Sequence, residues 1–145
     1  MSAQLIDGKA VAAKLREQVA IDAAAFAEQY GRPPGLATIL IGDDPASAVY
    51  VASKQRSCAE AGIEGFSFNL LADATREQAI ATIEEANANP AISGIICQLP
   101  VPDHLDGVEL TGLVDPLKDV DGLTTTSAGL LALGRPGLRP CTPRG

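Results

Sequence analysis

One group of residues in this sequence has the types and spacing to form a reactive site. Ser47, Tyr50 and Lys54 lie three and four positions apart, so on a helix their side chains share one face. The predicted helix begins just after the carboxyl end of a strand, where open parallel sheets usually bind their ligands, so a polar stripe there suggests a site. The alternative is structural: Ser47 supports the first turn, the Tyr50 ring lies along the surface, and Lys54 is a solvated charge.

Gln98 is a polar residue at the end of an otherwise apolar run, 95–99, directly before Pro100. An unpaired buried amide costs about 1–3 kcal/mol, so the side chain needs partners. We predict that it points into a site. The alternative is that Gln98 satisfies the backbone of the loop at residues 100–102.

The loop at residues 115–122 contains three carboxylates and a lysine. Asp119 and Asp121 flank Val120 and would face the same way in an extended segment, as the ligands of a metal do. Neither an EF-hand register nor further ligands accompany them, so we predict no metal site. The same composition is also typical of an ordinary turn.

These residues are carried by alternating helices and strands. The helices are predicted at 10–30, from the 42–45 turn to Gly62, and at 75–87, 108–114 and 127–133; the strands are predicted at 36–41, 66–70 and 94–99. The first helix is predicted to be amphipathic, with apolar residues spaced by three or four. This order predicts one α/β domain over residues 1–145, with three αβα layers and a mainly parallel sheet.

Composition excludes several classes of function. A net charge of -7 argues against a nucleic-acid or anionic-membrane partner. Three distant cysteines support neither a disulfide framework nor a zinc site, and they fit a reducing cytosol. No apolar run approaches the roughly 18 residues of a membrane span, so we expect a cytoplasmic, soluble protein.

Phosphate-binding and hydrolase motifs are also missing. The sequence has no Gly-x-Gly-x-x-Gly or Walker-type loop, and the carboxylates of the 42–45 turn would repel a phosphate. The lone His104 has no nucleophile elbow to work with. The chain ends in a Pro/Gly-rich stretch, 134–145, from which we expect that a further element follows and that the chain is truncated.

Taken together, the motifs resemble those of the bifunctional methylenetetrahydrofolate dehydrogenase/cyclohydrolase family over nearly the whole chain. The resemblance rests on the order and spacing of segments 42–47, 50–54, 62–63, 98–102, 116–122 and 140–145. It implies NADP-dependent oxidation of 5,10-methylenetetrahydrofolate to the methenyl form, and hydrolysis of the latter to 10-formyltetrahydrofolate, in one-carbon metabolism. It further implies a homodimer when complete, with tetrahydrofolate derivatives as substrates and NADP bound beyond Gly145.

The resemblance also implies roles for individual residues. Lys54 would be the key catalytic residue, Gln98 would hold it in place, and Tyr50 would pack on the folate. Asp121 would accept two hydrogen bonds from the pterin edge. The resemblance also assigns two residues to substrate binding, Ser47 and Pro100.

The sequence departs from the family pattern at two positions and lacks the family's second half. Leu123 and Ser127 stand where many relatives carry Phe and Asn, which weakens the expectation for contacts on the far side of the folate. The Rossmann-type half, with its Gly-rich turn, is missing. Two alternatives remain: the substrate lobe of another two-lobe dehydrogenase, such as a shikimate type, and a folate-binding module without catalysis. The first has no place for the 98–102 and 118–122 motifs, and Lys54 argues against the second.

Overall fold

A three-stranded parallel sheet organises the chain in this computed structural model, which describes residues 7–141. The elements in chain order are α1 (Gly8–Tyr30), β1 (Gly35–Ile41), α2 (Pro45–Glu60), β2 (Glu64–Leu70), α3 (Arg76–Ala88), β3 (Gly94–Cys97), α4 (Gly107–Gly112) and α5 (Thr125–Ala132). The strand order is β2-β1-β3, with Gly35 opposite Glu64 and Leu36 opposite Gly94. The predicted α/β class and parallel sheet are confirmed.

Helices cover both faces of this sheet. On one face, alternate residues of the strands pack against α3 and α4 and form the main core, which includes Ile39, Ile83, Ile95 and Leu110. On the other face, the fully buried Thr38 hydroxyl accepts a 3.3 Å hydrogen bond from Gln55 of α2. The three αβα layers are therefore as predicted.

Side-chain caps begin the helices where the sequence indicates. Asp7 accepts hydrogen bonds from the amides of Lys9 and Ala10 at the start of α1. Thr75 and Gln78 form the predicted reciprocal capping box of α3, with hydrogen bonds of 3.3 Å and 2.8 Å. Such caps satisfy amide donors that lack a partner within the helix.

The packing of α1 differs from the amphipathic prediction. Its limits are close to those expected, but Val11 and Leu15 are each 63% exposed, and Ala23 is the buried residue of the helix. Tyr30, at the other end of the helix, is 59% exposed as well. The middle of the stripe, around Ala23, lies beside Pro34 and Ile63, which precede β1 and β2, so the described residues cover only this part of α1.

The third strand is shorter than predicted, which changes the setting of Gln98. Regular pairing of β3 stops at Cys97, although the Gln98 amide still donates to the Ile39 carbonyl at 2.9 Å. A cis peptide bond joins Leu99 to Pro100. Gln98 therefore occupies the point where the chain leaves the sheet.

Within residues 7–141, no helix is both long and apolar enough to cross a membrane.

Candidate functional site

The sheet has a topological switch point between β1 and β3. From β1 the chain passes through α2 to β2 on one side, and then through α3 to β3 on the opposite side. In open parallel sheets, ligands bind in the crevice that such a reversal leaves at the carboxyl ends of the strands. The turn after β1 and the residues after β3 lie at this end of the sheet.

Lys54 and Gln98 meet at this crevice although they are 44 residues apart. The Nζ of Lys54 donates a hydrogen bond of 3.1 Å to Oε1 of Gln98. The same Nζ lies 4.7 Å from the centre of the Tyr50 ring, within the range of a cation–π interaction. Tyr50 is 60% exposed, so its ring forms an open aromatic surface beside the amine.

Gln98 makes two side-chain hydrogen bonds of different kinds. Its Oε1 accepts from Lys54, while its Nε2 donates to the Leu99 carbonyl at 2.8 Å. The bond to Leu99 orients the amide with its oxygen facing the amine. The side chain thus contacts Lys54 and the backbone just before residues 100–102, and its role in a site stays a prediction.

Two open cavities flank the cluster. One, of about 300 Å³, is lined by Tyr50, Lys54 and their neighbours on α2, together with Leu36 and Ile96 of the sheet. The other, of about 340 Å³, lies between the turn after β1 and the loop after β3, and Pro100 and Pro102 line it. Pro100 is thus adjacent to the crevice, as its proposed role requires.

Asp121 is a half-buried carboxyl in the loop beside β3. It borders a small cavity together with Ile95, Cys97 and Asp119. Burial raises the pKa of Asp121; the positive charge of Lys54 opposes that rise, and the negative charge of Asp119 adds to it. Asp121 and Lys54 therefore act on each other electrostatically, although no ion pair joins them in the part of the chain that the structure describes.

Asp119 is buried and serves the loop itself. Its carboxylate accepts hydrogen bonds from the amides of Leu123 at 3.1 Å and Thr124 at 2.9 Å. Burial alone would raise the pKa of Asp119, but hydrogen bonds from Ser127, Thr124 and Leu123 outweigh it and leave the pKa below its usual value. Asp119 and Asp121 border the same cavity, as their alternation predicts, but they have different environments.

The two positions that depart from the family pattern lie in this loop and its helix. Leu123 is 46% exposed, whereas Ser127 is 3% exposed. The Ser127 amide donates to Thr124 Oγ1 at 3.2 Å, within the cap of α5. Ser127 is therefore occupied by internal hydrogen bonds.

Ser47 is bonded to the turn that precedes α2, and not to Tyr50, Lys54 or Gln98, among the described residues. It is 5% exposed, and its amide donates to the Asp44 carboxylate at 2.7 Å. Hydrogen bonds from the Ser47 amide and hydroxyl lower the pKa of Asp44. These contacts favour the interpretation in which Ser47 supports the first turn of α2, and its contact with substrate stays a prediction.

Sequence reasoning did not identify the groups that hold the Asp121 loop. Lys118 donates to carbonyls at the end of α3, and the Asn87 side chain contacts the loop at Leu113 and Asp115. Each is an ordinary polar residue at a helix end or turn, so only the tertiary contacts identify it.

Among residues 7–141, no three His, Cys, Asp or Glu side chains are grouped as metal ligands would be.

Comparison with known proteins agrees with this geometry. Residues 6–121 match the family described as tetrahydrofolate dehydrogenase/cyclohydrolase, catalytic domain. A relative from Frankia alni, bifunctional protein FolD 2, is 59% identical over 145 residues, which are 100% of this chain and 50% of the relative. The chain spans about half the length of the curated relatives it matches.

Solved structures show the same fold. The bifunctional FolD methylenetetrahydrofolate dehydrogenase/cyclohydrolase of Campylobacter jejuni superposes with a TM-score of 0.94 at 38% identity, covering 99% of this chain and 51% of that one. A Trypanosoma brucei methylenetetrahydrofolate dehydrogenase-cyclohydrolase, complexed with NADP and an inhibitor, gives a TM-score of 0.91 at 35% identity, covering 98% and 49%. The chain therefore belongs to the tetrahydrofolate dehydrogenase/cyclohydrolase family, in which it corresponds to the catalytic domain.

Proposed function

We propose that this chain is the folate-binding, catalytic domain of a bifunctional enzyme of one-carbon metabolism. The enzyme oxidises 5,10-methylenetetrahydrofolate to 5,10-methenyltetrahydrofolate with NADP, and hydrolyses the methenyl form to 10-formyltetrahydrofolate. The observation that carries the proposal is the hydrogen bond from Lys54 to Gln98 beside the Tyr50 ring, at the switch point of the sheet. Family membership supports the substrate, and the geometry supports the roles proposed for the individual residues.

Hydrolysis of the methenyl form needs a base. Water adds to the electron-poor carbon between the two folate nitrogens and gives one proton to the base. The carbon–nitrogen bond to one nitrogen then breaks, the remaining hydroxyl proton moves to that nitrogen, and the carbon becomes the formyl group on the other. A cationic substrate beside Lys54 favours loss of the ammonium proton, and the neutral amine then accepts the proton of the attacking water. Lys54 is the catalytic residue in this scheme.

Gln98 suits the orientation of such a base. Its amide oxygen is neutral, so it accepts an N–H hydrogen bond from either the ammonium or the amine form of Lys54. A neutral amine that donates to Gln98 keeps its lone pair for water. Gln98 therefore holds the nitrogen in place without fixing its charge.

Tyr50 and Asp121 would bind the folate itself. The exposed Tyr50 ring offers a flat apolar surface to an aromatic part of the ligand. The carboxylate of Asp121 can accept two coplanar hydrogen bonds from the amino and ring N–H groups of a pterin. A half-buried carboxyl that has no ion pair with any described residue gains from such donors.

The described residues do not fit the binding of NADP. The turn after β1 carries Asp43 and Asp44, which would repel a pyrophosphate, and residues 7–141 contain no Gly-x-Gly-x-x-Gly turn. We therefore assign NADP binding to the part of the relatives that this chain does not cover, and we derive no step of the oxidation from the present residues. The relative from Trypanosoma brucei is complexed with NADP.

The family match argues against the alternative of a shikimate-type dehydrogenase lobe. The alternative of a folate-binding module without catalysis is tested by experiment. In the full-length protein that carries this chain, we expect Lys54→Ala to abolish loss of the methenyl absorbance while the circular dichroism spectrum and folate binding persist. Lys14→Ala on the exposed part of α1 is the matched control. Turnover by Lys54→Ala at the wild-type rate would refute the assignment, and folate binding without turnover in the wild type would favour the module.

Assembly and location follow from the same proposal. We propose that the complete enzyme is a cytoplasmic homodimer that binds neither nucleic acid nor membranes. The net charge of -7 argues against nucleic-acid and membrane partners, and the free thiols of Cys58, Cys97 and Cys141 fit a reducing cytosol. The dimer is proposed from the family resemblance alone. Size-exclusion chromatography with light scattering on the full-length protein tests the dimer.

A further inference from the structure

Lys118 makes an unusual set of contacts for a loop lysine. Its Nζ donates to the carbonyls of Ala86 at 3.4 Å, Asn87 at 2.7 Å and Asn89 at 2.9 Å. These carbonyls lie at the C-terminal end of α3, where the last turn of a helix lacks partners and carries a partial negative charge. The ammonium thus joins the 115–122 loop to the end of α3.

The backbone of the same residue is joined to the sheet. The Ile95 amide donates to the Lys118 carbonyl at 2.8 Å, and Ile95 pairs with Asp119 in a parallel bridge. Close approach is possible because residue 94 is glycine: a Cβ on Gly94 would lie 2.5 Å from Val120. Lys118 is therefore held by α3 through its side chain and by β3 through its backbone.

Asp121 lies three residues after Lys118, inside a tight turn. The Gly122 amide donates to the Asp119 carbonyl at 3.1 Å, and the Asp119 carboxylate accepts from the Leu123 and Thr124 amides. Gly122 has a φ of 65°, and a Cβ there would lie 2.9 Å from Pro140. The segment that carries Asp121 is thus fixed at Lys118 before it and at Asp119 to Thr124 around it.

We propose that Lys118 is a positioning residue that sets the place of the Asp121 carboxylate for folate binding by anchoring its loop to the end of α3. The proposal rests on the role of Asp121 given under Proposed function. The Lys118 ammonium donates to the carbonyls at the end of α3 and has no hydrogen bond to Asp121 among the described residues, so its effect on Asp121 would pass through the loop backbone. The other contact of α3 with this loop, through Asn87, holds Leu113 and Asp115 and leaves residues 118–121 to Lys118.

The hydrogen-bonding pattern of a pterin explains why the loop of Asp121 must be held in place. A pterin edge presents two donors in one plane, so its recognition requires a carboxylate held in a fixed orientation. Asp121 is half-buried, and the described residues provide no ion pair to hold it in advance. The orientation of Asp121 must then come from its backbone, which is what Lys118 anchors.

The test compares Lys118→Met with Lys118→Arg in the 145-residue chain. Methionine retains the apolar stem and removes all three donors, whereas arginine retains charge and donors. Lys14→Met, exposed on α1, is the control for the same change in charge. For each variant we measure amide hydrogen exchange at residues 122–124 and the Kd of tetrahydrofolate, alone and combined with Asp121→Ala.

We expect Lys118→Met to speed exchange at Gly122, Leu123 and Thr124 and to weaken tetrahydrofolate binding roughly tenfold, as loss of charged hydrogen bonds does. Lys118→Arg should keep the exchange rates and the Kd close to those of the wild type, and Lys14→Met should change neither quantity. In the Asp121→Ala background, Lys118→Met should have little further effect on Kd, because it acts through Asp121. A merely structural lysine would give additive losses.

Two results overturn the proposal: unchanged exchange at residues 122–124 in Lys118→Met, or a loss of binding that is additive with that of Asp121→Ala. If the wild-type chain bound no tetrahydrofolate, the proposed function would fail, while the exchange data would still decide whether Lys118 anchors the loop. If Lys118→Met did not fold, Lys118→Gln, which keeps an N–H donor on a shorter side chain, would take its place.

Discussion

Gln98→Glu is the substitution that most directly tests the proposed catalytic role of Lys54 and the way Gln98 holds it. It replaces a neutral oxygen 3.1 Å from the Lys54 Nζ by a charged one of nearly the same size. At that separation, two unit charges attract by about 1 kcal/mol in a water-like medium and about 5 kcal/mol at an effective dielectric constant of 20. Both side chains are partly exposed, so we expect the lower part of this range.

The attraction favours the ammonium form of Lys54 over the amine that accepts the proton from water. An extra stabilisation of about 1.4 kcal/mol displaces a protonation equilibrium by one pH unit, a factor of ten. We therefore expect Gln98→Glu to lose roughly tenfold in the rate of methenyltetrahydrofolate hydrolysis near neutral pH. The loss should be recovered as the pH rises, because the amine is then restored.

Gln98→Met separates charge from orientation. Methionine has a similar length but neither holds the amine nor donates to the Leu99 carbonyl, so its loss should persist at every pH. Gln29→Met, on an exposed part of α1, controls for the substitution itself. The assay is a pH–rate profile of the full-length protein with methenyltetrahydrofolate. Identical profiles for wild type and Gln98→Glu would refute the role of the Lys54–Gln98 bond in catalysis.

Two further predictions concern the acidic loop and the buried thiols. Burial raises the pKa of Asp121 in the folded chain, so the folded state binds a proton more readily than the unfolded state, and stability falls as the pH rises from the unfolded pKa through the folded one. Asp121→Asn should therefore be more stable than the wild type in urea at neutral pH while binding folate more weakly; equal or lower stability there would contradict this. Burial, with the charge of Asp121, raises the pKa of Cys97 to about 11, so only about one thousandth of this thiol is ionised at about pH 8. A maleimide should then modify the exposed Cys141 well before Cys97, with Cys141→Ser as control, and equal rates at both would be inconsistent with this burial.

Local signals in the sequence were sufficient for the scaffold but not for its packing. Thr75 and Gln78 predict the start of α3 because a capping box involves residues only three positions apart. The apolar run 94–99 predicts a buried strand, since both faces of a parallel sheet are covered, and residues 94–97 of it pair as β3. The burial of α1 was not predictable, because Val11 and Leu15 have the right spacing but are exposed in the described chain. Periodicity describes one helix and contains no information on which neighbours will cover its apolar face.

The site shows the same division between local and long-range information. The spacing of Tyr50 and Lys54 is local and correctly places both on one face of α2, next to each other. That Lys54 reaches Gln98 depends on the strand order β2-β1-β3, which puts the carboxyl end of β3 beside the crevice that opens after β1. A sheet with β3 on the other side of β2 would separate these two residues by an additional strand. The contact between Lys54 and Gln98 is therefore a consequence of topology, and that is why two segments 44 residues apart can form one cluster.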